Sequence, residues 1–129
     1  MPNLIDFMKD NIIIEKTLNF AVRIVNLYKY LSKEKSENVM SKQLLRSGTS
    51  IGANVREAVY GSSKVDFTAK MNIALKETSE TDYWLELLRK TEYLTEKQYK
   101  DIKTDCEEIL KMLTSIVKNS KVQKQRNSP

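Results

Sequence analysis

Between residues 3 and 128 the chain contains no proline, and its 129 residues include only three glycines. Proline breaks helices and punctuates loops, so a chain without it can run in long helices joined by short turns. The length suits one domain and can bury a core without disulfides or metals as staples. Hydrophobic residues at 40% and charged residues at 30% fit a globular chain better than a disordered one.

Apolar periodicity divides the chain into four helices. The first is expected over residues 11–33, where Ile13, Thr17, Phe20, Ile24, Leu27 and Leu31 recur every three or four positions. Leu18, Ala21, Val22, Val25 and Tyr28 widen this stripe beyond what one buried face requires. A polar run, residues 32–37, ends it. The second helix is expected over residues 38–60, with Leu44, Ile51, Val55 and Ala58 on its apolar face. Its centre holds Gly48 and Gly52, each costing about 1 kcal/mol relative to alanine inside a helix. Lying four apart on one face beside small Ser and Ala side chains, they fit the close approach of another helix backbone. A loop is the alternative reading of this segment; the helical pattern on both sides decides for a helix.

Gly61, Ser62 and Ser63 read as a turn, and Ser63 followed by Asp66 reads as a helix N-cap with an acid in the first turn. The third helix is expected to run to Glu92. Phe67, Met71, Ala74, Thr78, Thr81, Leu85 and Leu88 form a heptad seam, with Ile73, Glu77, Glu80, Trp84 and Leu87 alongside. Thr95 and Gln98 make a capping box, opening a fourth helix whose seam is Ile102, Cys106, Ile109, Leu113 and Ile116. Short connections force antiparallel neighbours, so the expected fold is all-α: an up-down-up-down four-helix bundle. We expect a single domain over residues 1–118, then a basic tail over 119–129, disordered from Gln123 onward.

The chemistry on offer is narrow. With no histidine, Ser-His and Cys-His nucleophile pairs are impossible, and so are the Glu-x-x-His di-iron sites of helix bundles. One thiol and no imidazole make zinc a poor fit. The glycines match no phosphate-binding loop. Glu57, Glu77 and Glu80 could form an acid-base pair or a carboxylate metal site. A structural network is the better reading, with these acids accepting hydrogen bonds from Arg46, Ser47, Ser50 or Asn54. Cys106, on the core stripe, reads as a small buried hydrophobe. Tyr83 and Trp84 could stack on bases, but at this helical spacing they fit core or subunit contact better. No catalytic residue, metal or cofactor is expected.

The single cysteine and the absence of a leader-like or membrane-spanning stretch point to a reducing cytoplasm. The net charge of +5 is concentrated at the C-terminus: removing Lys118, Lys121, Lys124 and Arg126 leaves +1. Such a tail can attract phosphates or be a solvated end.

Residues 43–58 (QLLRSGTSIGANVREA) closely resemble the signature of the bacterial four helix bundle protein family, also called the 23S ribosomal RNA intervening-sequence protein family. Further matching stretches are residues 64–67 (KVDF), 73–77 (IALKE), 80–88 (ETDYWLELL), 19–25 (NFAVRIV) and 28–31 (YKYL). The resemblance spans roughly residues 11–118. It implies a small four-helix bundle assembling as a homopentameric ring. It also implies kinship with accessory proteins of diversity-generating retroelements, which bind nucleic acid and a reverse transcriptase. No catalytic activity is established for the family, so no catalytic residues carry over.

The function expected from residues and resemblance together is a non-enzymatic, homo-oligomeric binding protein associated with RNA or another nucleic acid. The alternative is a protein-protein adaptor, for example to a reverse transcriptase. Candidate phosphate contacts are Arg23, Lys42, Arg46, Arg56, Lys70, Lys76, Lys118, Lys121, Lys124 and Arg126. Candidates for an interhelical polar network or subunit interface are Gln43, Ser47, Gly48, Ser50, Gly52, Asn54, Glu57, Glu77, Glu80 and Trp84. A basic rim on the folded protein favours the first function; a mixed-charge surface with an apolar groove favours the second.

Overall fold

The computed structural model describes residues 4–61 and 63–126, with side chains described as far as Lys121 except those of residues 6 and 7. Four helices follow in order: α1 (Leu4–Lys33), α2 (Met40–Val59), α3 (Lys64–Lys90) and α4 (Glu96–Arg126). No strand occurs among the described residues. Each helix packs against its sequence neighbour, and α1 also meets α4, which closes a four-helix bundle.

Cross-helix pairs give the direction of each helix. Thr17 and Ile24 of α1 lie against Gly52 and Gly48 of α2, an antiparallel order. Ser47 meets Thr81 and Glu57 meets Lys70, so α2 and α3 are antiparallel too. Thr68 touches Ser120, and Asp82 holds Lys103 lower on the same helix pair. Lys16 pairs with Glu108 and Arg23 with Asp101, which brings α4 back beside α1. The order is the up-down-up-down one that the short connections demand.

The expected seams are the core. Ile13, Phe20, Ile24 and Leu31 of α1 are buried, as are Leu44, Ile51, Val55 and Ala58 of α2. Met71, Ala74, Leu85 and Leu88 of α3 and Tyr99, Ile102, Cys106, Ile109, Leu113 and Val117 of α4 join it, with Leu94 from the turn between them. The expected seam residues Leu27, Phe67 and Ile116 are only partly buried. Five serine and threonine hydroxyls are buried among the described residues: Thr17, Ser41, Ser47, Thr78 and Thr81. Each threonine donates back along its own helix, Thr17 to the Ile13 carbonyl at 2.7 Å and Thr78 to that of Ala74 at 2.8 Å. Thr81 lies 2.8 Å from the Glu77 carbonyl and 2.9 Å from the Ser47 hydroxyl. Burial without such partners costs about 1–3 kcal/mol per group, so these bonds keep the polar core tolerable.

Gly48 and Gly52 face α1. A Cβ on Gly48 would stand 2.8 Å from both γ-carbons of Ile24. One on Gly52 would meet the Thr17 hydroxyl at 3.3 Å and its backbone carbonyl at 3.4 Å. The glycines therefore let α1 and α2 approach almost backbone to side-chain base, the close contact expected from their spacing.

The helix ends differ from expectation in instructive ways. α1 begins at Leu4, not Asn11, because its N-terminal turns continue the helix without a core to bury them; Leu4, Ile5 and Met8 are exposed. α4 continues to Arg126, past the expected end near Gln123, while residues 127–129 lie outside the described residues. Both expected caps are in place: the Ser63 hydroxyl accepts from the Asp66 amide at 3.1 Å. Thr95 and Gln98 bond reciprocally, at 2.9 and 3.1 Å.

The α3–α4 turn is a Schellman motif. Glu92 donates to the Arg89 carbonyl and Tyr93 to that of Leu88, with Glu92 in the left-handed region at φ 68. A side chain there costs on the order of 1 kcal/mol that glycine avoids. Glu92→Gly is therefore expected to raise stability by about 1 kcal/mol, measured by urea unfolding. An unchanged or lower midpoint would mean that the Glu92 side chain contributes more than its conformation costs.

Candidate binding surfaces

The α2–α3 seam gathers part of the expected polar network. Arg46 reaches across from α2 to pair with Glu77 at 3.3 Å and, more closely, with Glu80. Beneath it lies the buried Ser47–Thr81 contact. Further along, Glu57 pairs with Lys70 at 2.8 Å, and this contact raises the pKa of the lysine. Glu77 and Glu80 are half-buried, not fully buried, and one guanidinium compensates both. Exposed pairs of this kind contribute roughly 0–1 kcal/mol each, so they set register more than stability.

Other members of the expected network bond within α2. Ser50 donates to the Arg46 carbonyl at 2.6 Å and Asn54 to that of Ser50 at 2.8 Å. Gln43 meets Arg46 at the long distance of 3.5 Å. None of the three bridges helices: Ser50 and Asn54 are satisfied on carbonyls one turn back, and Gln43 accepts from Arg46 of its own helix. Trp84 is half-buried against the core and sits edge-on to Tyr83, ring centroids 5.1 Å apart. Its indole N–H is buried without an acceptor among the described residues.

The candidate phosphate contacts separate into two groups. Arg23 is engaged by Asp101 and Asp105 of α4, Arg46 by Glu77 and Glu80, and Lys70 by Glu57. Reading α1 alone could not find the Arg23 partners, which lie on the last helix. Lys42, Arg56, Lys76, Lys118 and Lys121 make no ion pair among the described residues. The side chains of Lys124 and Arg126 lie outside the described residues. Arg56, Lys118 and Lys121 occupy the end of the bundle where α2 and α4 finish and α3 begins, together with Lys64. The waist, by contrast, alternates acid and base.

Two further features stand out, the first not anticipated from the sequence and the second anticipated only on α1. A half-open groove of about 220 Å³ runs between α1 and α2, lined by Ile14, Leu18, Ala21, Thr49, Gly52, Ala53 and Arg56. Its floor follows from the glycine approach, since two helices this close leave a furrow above small side chains. The second feature is a set of large apolar residues facing outward. Met8, Ile12, Leu18 and Val22 lie on α1, and Val65, Ile73 and Tyr83 on α3, each at least 40% exposed.

The buried thiol is unreactive. Burial, reinforced by the negative field of Asp82, pushes Cys106 up to about 12, and its sulfur lies 3.7 Å from the Thr78 carbonyl. No group of three or more Cys, Asp or Glu among the described residues is placed to hold a metal ion. No helix among them is long and apolar enough to cross a membrane.

Fold and surfaces together define a small antiparallel four-helix bundle with a glycine-tight α1–α2 pair and apolar surface left outside its core. The family model for the 23S rRNA-intervening sequence protein matches residues 9–115. The chain belongs to that family. It is also similar to a solved structure, a protein of unknown function from the S23 ribosomal protein family of Bacteroides thetaiotaomicron VPI-5482. The two share 63% identity over 85% of this chain and 98% of the other, with a TM-score of 0.84. No curated protein matches the chain.

Proposed function

We propose that this chain is a non-enzymatic binding protein that works as a homo-oligomer, with RNA as its partner through the cationic end of the bundle. The observation that carries the oligomer is the large apolar surface outside a complete core: nine exposed large apolar residues, six on α1 and three on α3, lie on two helices that already bury a full seam. Apolar surface arranged in rows on a soluble bundle marks a contact face. Five subunits is the number that the family resemblance implies.

The RNA part of the proposal rests on charge placement. Arg23, Arg46 and Lys70 are spent on ion pairs, whereas Arg56, Lys64, Lys118 and Lys121 make none among the described residues and share one end of the bundle. In a ring of parallel subunits every copy would present that end to the same side. Simultaneous weak contacts then add avidity without new chemistry. The names of the family and of the solved relative, both referring to ribosomal RNA or ribosomal proteins, agree with this partner class.

A second reading, an adaptor for another protein, draws support from the α1–α2 groove and the mixed-charge waist. Two measurements separate them. Sedimentation equilibrium at micromolar concentration is expected to give several times the 15.0 kDa monomer mass. Affinity for a single-stranded RNA oligonucleotide, followed by fluorescence anisotropy, is expected to fall with salt at a log-log slope of roughly −0.7 per phosphate neutralised. Replacing Lys118 and Lys121 by Glu should abolish that binding, and replacing Arg23 should leave it. No binding at low salt by the intact oligomer would reject the RNA partner in favour of the adaptor.

A further inference from the structure

The two outward apolar rows have a definite relation to one another. In the cyclic order α1, α2, α3, α4, the helices α1 and α3 are diagonal, with no close backbone approach among the described residues. Their outward faces therefore point away from each other. Both run in the same direction through the bundle, since each is antiparallel to α2. On α1 the row is Met8, Ile12, Leu18 and Val22; on α3 it is Val65, Ile73 and Tyr83 with the small Ala69 between.

The internal contacts also fix their heights. Thr17 lies opposite Gly52 of α2, and Glu57, just beyond Gly52, lies opposite Lys70. Lys16 lies opposite Glu108, and Cys106 opposite Thr78. By both routes, through α2 and through α4, the middle of α3 is level with Leu18. Met8 is then level with the first turn of α3, which holds Val65. Ile73 falls beside Ile12 and Leu18, and Tyr83 lies near the height of Val22. A rotation about an axis parallel to the bundle shifts no residue along that axis. Such a rotation brings Met8 to Val65, Ile12 and Leu18 to Ile73, and Val22 to Tyr83, while Leu4 and Ile5 extend the α1 row at its foot. The exposed charges agree: Glu15 interrupts the α1 row and Lys76 the α3 row, neither has an ion-pair partner among the described residues, and the heights place them within about one helical turn, or roughly 5 Å.

We infer that the outer face of α1 is the docking surface for the outer face of α3 of a second copy, head to tail and with the helices parallel. This rests on the homo-oligomer reading and sharpens it: the interface is heterologous, made of two different faces, and repeats around a closed ring. The α1–α2 groove lies on the receiving side, so its apolar lining is covered in the assembly.

Cysteine crosslinking tests the pairing on the full chain. Leu18 and Ile73 are both exposed, so Leu18→Cys and Ile73→Cys preserve the fold, and the native Cys106 is buried. With a short bis-maleimide, the double variant is expected to give a ladder of linked species beyond the dimer on a denaturing gel. Each single variant is expected to remain at the monomer position. A linked dimer from Leu18→Cys alone would show α1 meeting α1 and overturn the heterologous pairing. An oligomer by sedimentation that yields no ladder would also overturn it while leaving the assembly intact. A monomer by sedimentation would remove the assembly itself and the pairing with it.

Discussion

Gly48→Leu is expected to be the most damaging single substitution in the second helix, lowering stability by on the order of 1–3 kcal/mol or more. The added Cβ alone would lie 2.8 Å from two carbons of Ile24. Ile24 is fully buried and β-branched, so it has neither space nor rotamer freedom to yield. The helix itself would prefer leucine to glycine by about 1 kcal/mol, and this gain is included in the net loss. Gly52→Ala is the informative control. Its new Cβ meets α1 at 3.3–3.4 Å, so the propensity gain offsets most of the crowding, and the expected change is small. Thermal unfolding at fixed protein concentration compares the three chains, since oligomerisation makes the midpoint concentration-dependent. Equal midpoints for wild type and Gly48→Leu would mean that α1 moves aside at no cost, and the glycine contact would lose its significance.

The glycine contact was legible in the sequence because small residues four apart mark one helix face. The seams of all four helices were legible for the same reason: periods of three and four survive any tertiary arrangement. Arg23 shows where this stops. Its position on α1 is plain from the sequence, but its partners, Asp101 and Asp105, come from a helix some eighty residues on, and only the closure of the bundle brings them together. Ser50 and Asn54 show the opposite error. Their polarity suggested cross-helix bonding, yet each is satisfied by a carbonyl one turn back, an option available to any such residue in a helix.

The outward rows on α1 and α3 were half legible. The excess width of the α1 stripe was visible, with Leu18 and Val22 already counted as surplus to one buried face. On α3, Ile73 was seen as part of a line beside the seam, but the line was read toward Trp84 and not outward through Tyr83. Periodicity gives angular position on one helix; which angle is covered depends on where the other three helices stand. The start of α2 was read to within two residues, at 38 against Met40, but the group that caps it was not legible. Residues 32–37 read only as a polar break, yet one of them organises the turn.

That residue is Glu37, and its removal is expected to cost about 2 kcal/mol, because it acts as the cap that α2 otherwise lacks. Val39 precedes the helix with no side-chain cap of its own. Glu37 instead accepts from three backbone amides, Val39 at 3.1 Å, Met40 at 3.0 Å and Ser41 at 2.7 Å. The carboxylate thus meets the positive end of the helix dipole, with most of its surface shielded from water. Ser36 takes up a left-handed φ of 53 to turn the chain into this position. Burial alone would raise the carboxyl pKa, but the amide hydrogen bonds from Met40, Ser41 and Val39 outweigh it, and the net shift is downward. A carboxyl held below its ordinary value when folded is stabilising above the unfolded pKa. That contribution is lost as pH falls through the ordinary carboxylate range toward the lower folded value. Urea unfolding of wild type and Glu37→Ala should therefore differ most near neutral pH, with the gap narrowing in acid. Glu37→Gln keeps an acceptor but not the charge, so it should fall between them at neutral pH and approach wild type at low pH. A gap independent of pH would show that the anionic charge contributes nothing and that the side chain serves only as a neutral acceptor. No gap at any pH would show that solvent satisfies the three amides equally well.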